Sequence, residues 1–152
     1  MITELTKLLE PHLKPELIAG LSQLISDEVA AKKGLTGVGI KTAFGTIRRL
    51  KPNLIERLLE ALLPHFIEAI SPLYQEFLKA QEAGVSGDLK TFLSSRAAEV
   101  TSALLSVTDS RAAKASNATL KGVYQKLRPI AEAQVSAAVP MVASLLNTFT
   151  SR

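Results

Sequence analysis

The chain contains no cysteine and no tryptophan. The first absence removes disulfides, thiolate zinc sites, iron–sulfur clusters and a cysteine nucleophile together. It leaves the redox compartment open and fits a cytosolic protein. Aromatic residues make up only 5% and charged residues 21%, so the mean hydropathy of +0.20 comes from Leu, Ala, Val and Ile. Such an aliphatic, aromatic-poor composition suits packed helices better than a sandwich or barrel. No segment sustains the period-two alternation that a half-buried strand needs.

Long apolar spans are missing too. Ala133 to Phe149 is uncharged but interrupted by Gln134, Pro140 and Asn147. It falls short of the roughly 20 apolar residues of a spanning helix. It is read as a buried helix bent at Pro140, and no transmembrane segment is expected. The opening MITELTKLLEPHLK carries acids and no apolar run, so no secretory leader is expected and a cytoplasmic location follows. Asn117-Ala118-Thr119 has the form of a glycosylation sequon, and in that setting Asn117 is read as a helix cap.

What is present is helical periodicity. Leu17, Leu21, Leu24, Ile25 and Val29 form one stripe after Pro15; Ile40, Phe44, Ile47 and Leu50 form another. Leu54 to Ile70 is apolar around most of its circumference, as suits a central helix or an oligomer interface. Pro64 should kink or break it, Pro72 should start the next helix and Pro129 the last. Residues 82–88, EAGVSGD, are the one clear loop, and Asp88 caps the helix beyond it. The expectation is an all-α single domain over 1–152. It is a multi-helix bundle of seven to nine helices with corners set by proline. A chain of this length buries roughly 70% of its unfolded surface and needs no metal to hold a core.

Chemistry-bearing patterns are sparse. His12 and His65 each follow a proline, and no G-x-S-x-G elbow accompanies them. His65-x-x-Glu68 is single and reversed relative to the di-iron pattern, so no metal or other cofactor is expected. Glu56 and Glu60 fit the solvated stripe of an amphipathic helix. In GLTGVGIKTAFG, Ile40 separates Gly39 from Lys41 and no strand precedes the glycines, so it is no phosphate loop. At about 100° per residue, Gly37, Lys41, Gly45 and Arg48 share one side of a helix. Gly37 and Gly45 then mark either close approach of a neighbouring helix or a flat cationic face open to an anion or lipid headgroup.

Charge is the strongest signal. Between Glu28 and Glu56 stand six bases and no acid; between Asp109 and Glu132 stand five bases and no acid. These two stretches hold eleven of the eighteen bases, so a net charge of +4 conceals strong segregation. Segregated charge favours an anionic partner, unless the stretches pair with acidic helices in the fold. The candidate anion-binding residues are Lys41, Arg48, Arg49, Lys121, Lys126 and Arg128. An anionic membrane surface or an acidic protein fits bases flanked by aliphatics. Nucleic acid is disfavoured, because single-strand binding usually adds stacking aromatics and only Tyr124 stands in a basic stretch without an obvious core role.

Through KKGLTGVGIKTAFGTIRRL, LLPHFIEAISPLYQEF and LSSRAAEVTSALLSVTDSRA, in that order, the chain resembles a family of small bacterial proteins of unknown function, mostly actinobacterial. The resemblance implies an all-helical bacterial cytoplasmic protein and carries no catalytic residue. The leading expectation is a non-enzymatic binding module, as a homodimer, with a basic face for an anionic partner. The alternative is an enzyme whose site assembles from scattered Ser, His and Glu.

Overall fold

A computed structural model describes residues 5–151, with the backbone alone for Thr36. A 3-10 turn, Thr6–Leu9, leads into α1 (Lys14–Ala31), α2 (Gly34–Leu50), α3 (Leu54–Glu82), α4 (Leu89–Ser95), α5 (Ala97–Ala113) and α6 (Ala118–Thr150). Of the described residues 85% are helical, and none is in a strand. Six helices stand where seven to nine were expected. Ile2, whose spacing with Leu5, Leu8 and Leu9 predicts a short first helix stopped by Pro11, lies outside the described residues.

The difference is proline. Pro64 and Pro72 lie inside α3, and Pro129 and Pro140 inside α6; none of them is a helix boundary. An interior proline loses a backbone hydrogen bond and frees the carbonyl four residues earlier. Here Pro72, Pro129 and Pro140 are exposed, so the freed carbonyls lie on the watered face. Beside Pro72, Ser71 Oγ also donates to the Ile67 carbonyl at 2.7 Å. Real boundaries are set by side-chain caps and left-handed glycines. Thr91 N–H donates to Asp88 Oδ1 at 2.8 Å and Leu120 N–H to Asn117 Oδ1 at 3.1 Å, which starts α4 and α6. Gly84, at φ 86°, closes α3, with Val85 N–H donating back to the Ala80 carbonyl at 2.9 Å.

Four helices form a ring around one apolar column. α3 packs on α1 and α5, and α6 packs on α1, α4 and α5, so α3 and α6 face each other diagonally. The column holds Leu17 of α1, Leu63, Ile67, Ile70 and Tyr74 of α3, Val100 of α5, and Val139, Ala143, Leu146 and Phe149 of α6. Leu5, Leu8, Leu89 and Leu93 close one end. Phe77 stacks tilted between Tyr74 and Phe92, at 6.0 and 5.6 Å between ring centroids. Arg96 pins the α4–α5 corner, lying over Phe92 and reaching Glu99 at 3.1 Å and Glu76 at 3.5 Å. α1 comes closest to α6 at Gly20, where a Cβ would stand 3.1 Å from Leu145 Cδ1.

Packing is graded along the bundle. α6 buries its last third, through Val139, Ala143, Leu146 and Phe149, whereas Leu120, Val123, Leu127 and Ile130 are only half-buried. α2 lies outside the ring against α1 and α6, and Ile40 is its one buried large side chain. By length and composition alone α6 could cross a membrane: an 18-residue window reaches a mean hydropathy of 1.3. Only 17% of that window is buried, and the buried side chains of α6 are Val139, Ala143, Leu146 and Phe149 of the shared column.

Leu146 and Met141 lie on the same turns of α6, 4% and 55% exposed. Leu146→Ala should cost about 2–5 kcal/mol in chemical denaturation, through lost burial and a residual cavity. Met141→Ala should stay within about 0.5 kcal/mol of the parent. Equal small losses would mean that α6 does not dock as described.

Candidate anion-binding surface

The acid-free helix α2 turns Ile40, Phe44 and Ile47 toward the protein. Its opposite side carries Leu35 and Val38, with Lys41, Arg48 and Arg49 exposed beside them. Lys41 and Arg48 are seven residues apart, about 20° from alignment, and Arg49 lies about 80° from Lys41. Lys41 and Arg49 have no side-chain partner among the described residues. Arg48 Nη2 donates to Ser26 Oγ at 3.0 Å, a neutral hydroxyl. Two bases elsewhere are neutralised locally, Lys32 by Glu28 at 3.2 Å and Arg96 by Glu76 and Glu99.

Arg48 also borders a groove between α1, α2 and the start of α3. Ile25, Phe44, Ile47 and Ile55 line it, with Ser22, Ser26, Lys51 and Glu56 among its polar groups, around an empty volume of about 320 Å³ open to solvent. Ser22 Oγ donates to Glu56 Oε1 at 3.0 Å, which ties α1 to α3 there. A second depression adjoins it at the α2–α3 corner, lined by Leu50, Lys51, Pro52, Asn53 and Arg57, with an empty volume of about 490 Å³. Lys51 and Arg57 therefore extend the cationic surface beyond the residues singled out from sequence. The turn at Lys51-Pro52 was the available signal, because it bends the chain so that bases on either side of it converge.

The second basic stretch is arranged differently. Lys126 and Arg128 leave α6 about 160° apart, so they do not share a face. Lys126 is exposed and Lys121 half-buried. Arg128 is engaged: its Nε and Nη2 donate to Asp109 Oδ1 and Oδ2 at 2.8 and 3.1 Å. Tyr124 Oη donates to the same Oδ1 and lies 2.8 Å from Thr108 Oγ1. This clasp staples α5 to α6. The Arg128 hydrogen bonds, then that of Tyr124, hold the Asp109 carboxyl below its usual range. Burial, then the bond to Asp109, pushes the Tyr124 phenol above its usual value. Tyr124 thus serves as a structural hydrogen-bond donor.

A family model described as a family of unknown function, DUF6918, matches residues 5–150. The chain belongs to the DUF6918 family. No curated protein and no solved structure is detectably similar to it. In this DUF6918 chain the family match spans the whole ring and α2 alike, so the basic helix is part of the family's own extent.

The remaining candidates separate cleanly. His12 is exposed, 3.5 Å from an exposed Glu10; His65 is exposed on α3, and neither lines a groove. No group of three or more His, Asp or Glu side chains is placed to hold a metal ion among the described residues. Gly37 is a close-approach position, but to its own chain: a Cβ there would stand 2.6 Å from the Lys32 carbonyl carbon. Gly45, expected to share that role, has nothing within 4 Å of the Cβ position and faces open space.

The two glycines should respond with opposite sign. Gly45→Ala should stabilise the DUF6918 protein by about 0.5–1 kcal/mol, because alanine removes a helix-interior glycine at no steric cost. Gly37→Ala should destabilise it, since the clash is with backbone that cannot rotate away. Thermal melts of both variants check this.

The clasp makes its own prediction. A carboxyl whose folded pKa is depressed contributes stability that is complete above its unfolded value, about 3.9, and lost as pH falls through the folded value. Asp109→Asn should therefore flatten the fall of stability below about pH 4. Tyr124→Phe should cost about 0.5–1.5 kcal/mol near neutral pH. Urea denaturation at several pH values measures both effects, and an unchanged acid limb in Asp109→Asn would show the pair to be unimportant.

Proposed function

We propose that this protein is a non-enzymatic binding module of the bacterial cytoplasm that engages an anionic partner through α2. The supporting observation is the concentration of exposed bases on a helix that carries no acid. Lys41 and Arg49 stand exposed without carboxylates on an acid-free helix, whereas Lys32, Arg96 and Arg128 are all neutralised by near neighbours. Unpaired like charges on one helix repel one another and are retained where a counter-charge arrives from outside. Arg48, Lys51 and Arg57 enlarge the field at the end of α2. Lys121 and Lys126 are auxiliary, and Arg128 belongs to the clasp.

The functional histidines and carboxylates that an enzymatic reading requires are not assembled in either groove. Glu56 lines the first groove but is held by Ser22, and His12 and His65 stand outside both.

Retention on a sulfated polysaccharide column tests the reading. The parent should bind at low salt and elute as salt shortens the Debye length to about 8 Å near physiological ionic strength. The Lys41→Glu/Arg49→Glu variant should pass through, with an unchanged thermal midpoint. Lys126→Glu should lose little. Unaltered retention of the double variant, or a parent that does not bind, would overturn the assignment to α2.

A further inference from the structure

The charged flank of α2 adjoins an apolar strip that packs on nothing. Leu35 is 93% exposed and Val38 63%, two of the five exposed large hydrophobic side chains among the described residues. Leu35, Val38, Thr42 and Gly45 follow a helical i, i+3, i+7, i+10 row. Around Gly39 and Gly45 the space where a Cβ would stand is empty to 4 Å. The row is therefore low, open and without an acid, and Lys41 lies along its flank while Arg49 continues it.

We infer that this face of α2 docks on an anionic lipid bilayer. The inference rests on the basic-face reading and names its partner. Charge complementarity selects the occupant. A second copy docking symmetrically would set the cations of one α2 against those of the other, since an isologous contact pairs a patch with itself. A homodimer would have to bury a different face. Single-stranded nucleic acid would call for aromatic platforms, and the one aromatic of α2, Phe44, is turned into the groove. A bilayer asks for neither shape complementarity nor aromatics. It asks for a helix lying in the interface, apolar side chains toward the acyl boundary and Lys or Arg at phosphate level. α2 meets those terms while its inner stripe, Ile40, Phe44 and Ile47, stays with the protein. Two or three protruding aliphatics anchor weakly, so binding should depend on anionic lipid.

Co-sedimentation of the full chain with vesicles decides it. The protein should pellet with phosphatidylcholine–phosphatidylglycerol vesicles and stay in solution with phosphatidylcholine alone. Each cation removed should weaken partitioning about fivefold, so Lys41→Glu/Arg49→Glu should lose well over tenfold. Leu35→Ser/Val38→Ser should lose about tenfold on vesicles while keeping its polysaccharide-column retention. Because the chain has no tryptophan, Leu35→Trp gives a clean reporter whose emission should shift to the blue only with anionic vesicles. Column retention without vesicle binding would overturn the membrane inference and leave the basic-face reading standing, with a soluble acidic partner in its place. Loss of both would end both. Vesicle binding indifferent to Leu35→Ser/Val38→Ser, or a Leu35→Trp emission that shifts with protein concentration alone, would also overturn the inference, the latter in favour of a second copy.

Discussion

The apolar column between α3 and α6 is the constraint on which the rest of the structure depends. α3 and α6 sit diagonally across the ring, so their side chains have to meet through the space left by α1, α4 and α5. With few aromatics, that space is filled by Leu, Ile and Val, and the helices have to come close to fill it. Gly20 permits the approach of α1 to α6, and Ala143 keeps α6 slim where it enters the column. The prolines follow from the same demand. A helix as long as α3 or α6 follows a curved core best when its outer backbone bonds are loosened, and Pro72, Pro129 and Pro140 lie on that outer side.

The column is filled from one end, and this divides the molecule. Leu8 of the 3-10 turn and Leu89 and Leu93 of α4 join α1, α3, α5 and α6 in one buried cluster. Toward the start of α6 the apolar residues are half-buried, along α2 all the large ones but Ile40 are half-buried or exposed, and polar ties replace packing: Ser22 to Glu56, Arg48 to Ser26, and the Asp109 clasp. Fewer buried contacts mean lower local opening free energies. The exposed bases of α2 thus lie where packing against the core is thinnest.

Local signals were legible in the sequence, and long-range ones were not. Asp88 and Asn117 are caps because an oxygen two or three residues ahead of free amides acts over one turn, whatever the rest of the chain does. The apolar stripes of α1, α2 and α3 were readable in part: Leu17, Ile40 and the inner residues of α3 are buried, whereas Leu50, expected on the α2 stripe, is 54% exposed. Proline was misread because its effect depends on which side of the helix meets water, and that is decided by packing partners far along the chain. The clasp was invisible for a related reason. Asp109 and Arg128 are nineteen residues apart, and only the α5–α6 hairpin brings them together. The i, i+4 spacing of Tyr124 and Arg128, with an acid on the preceding helix, was the one available hint.

The glycines of α2 show how the two kinds of information combine. A helix-interior glycine sacrifices about 1 kcal/mol relative to alanine. At Gly37 the structure returns that sacrifice, because only a hydrogen fits beside the Lys32 carbonyl. At Gly39 and Gly45 it returns nothing inside the monomer, since the space around both is empty. The same helix leaves Leu35 and Val38 in water and Lys41 and Arg49 without counter-charges, which are further local losses to the isolated fold. A sequence shaped for monomer stability alone would place alanine, glutamate and lysine on such a face. Departures of three kinds on one helix, each unfavourable alone, are what the proposed docking on an anionic bilayer would offset. The core residues of α2, Ile40, Phe44 and Ile47, show no such departures, so the cost is confined to the face that meets solvent.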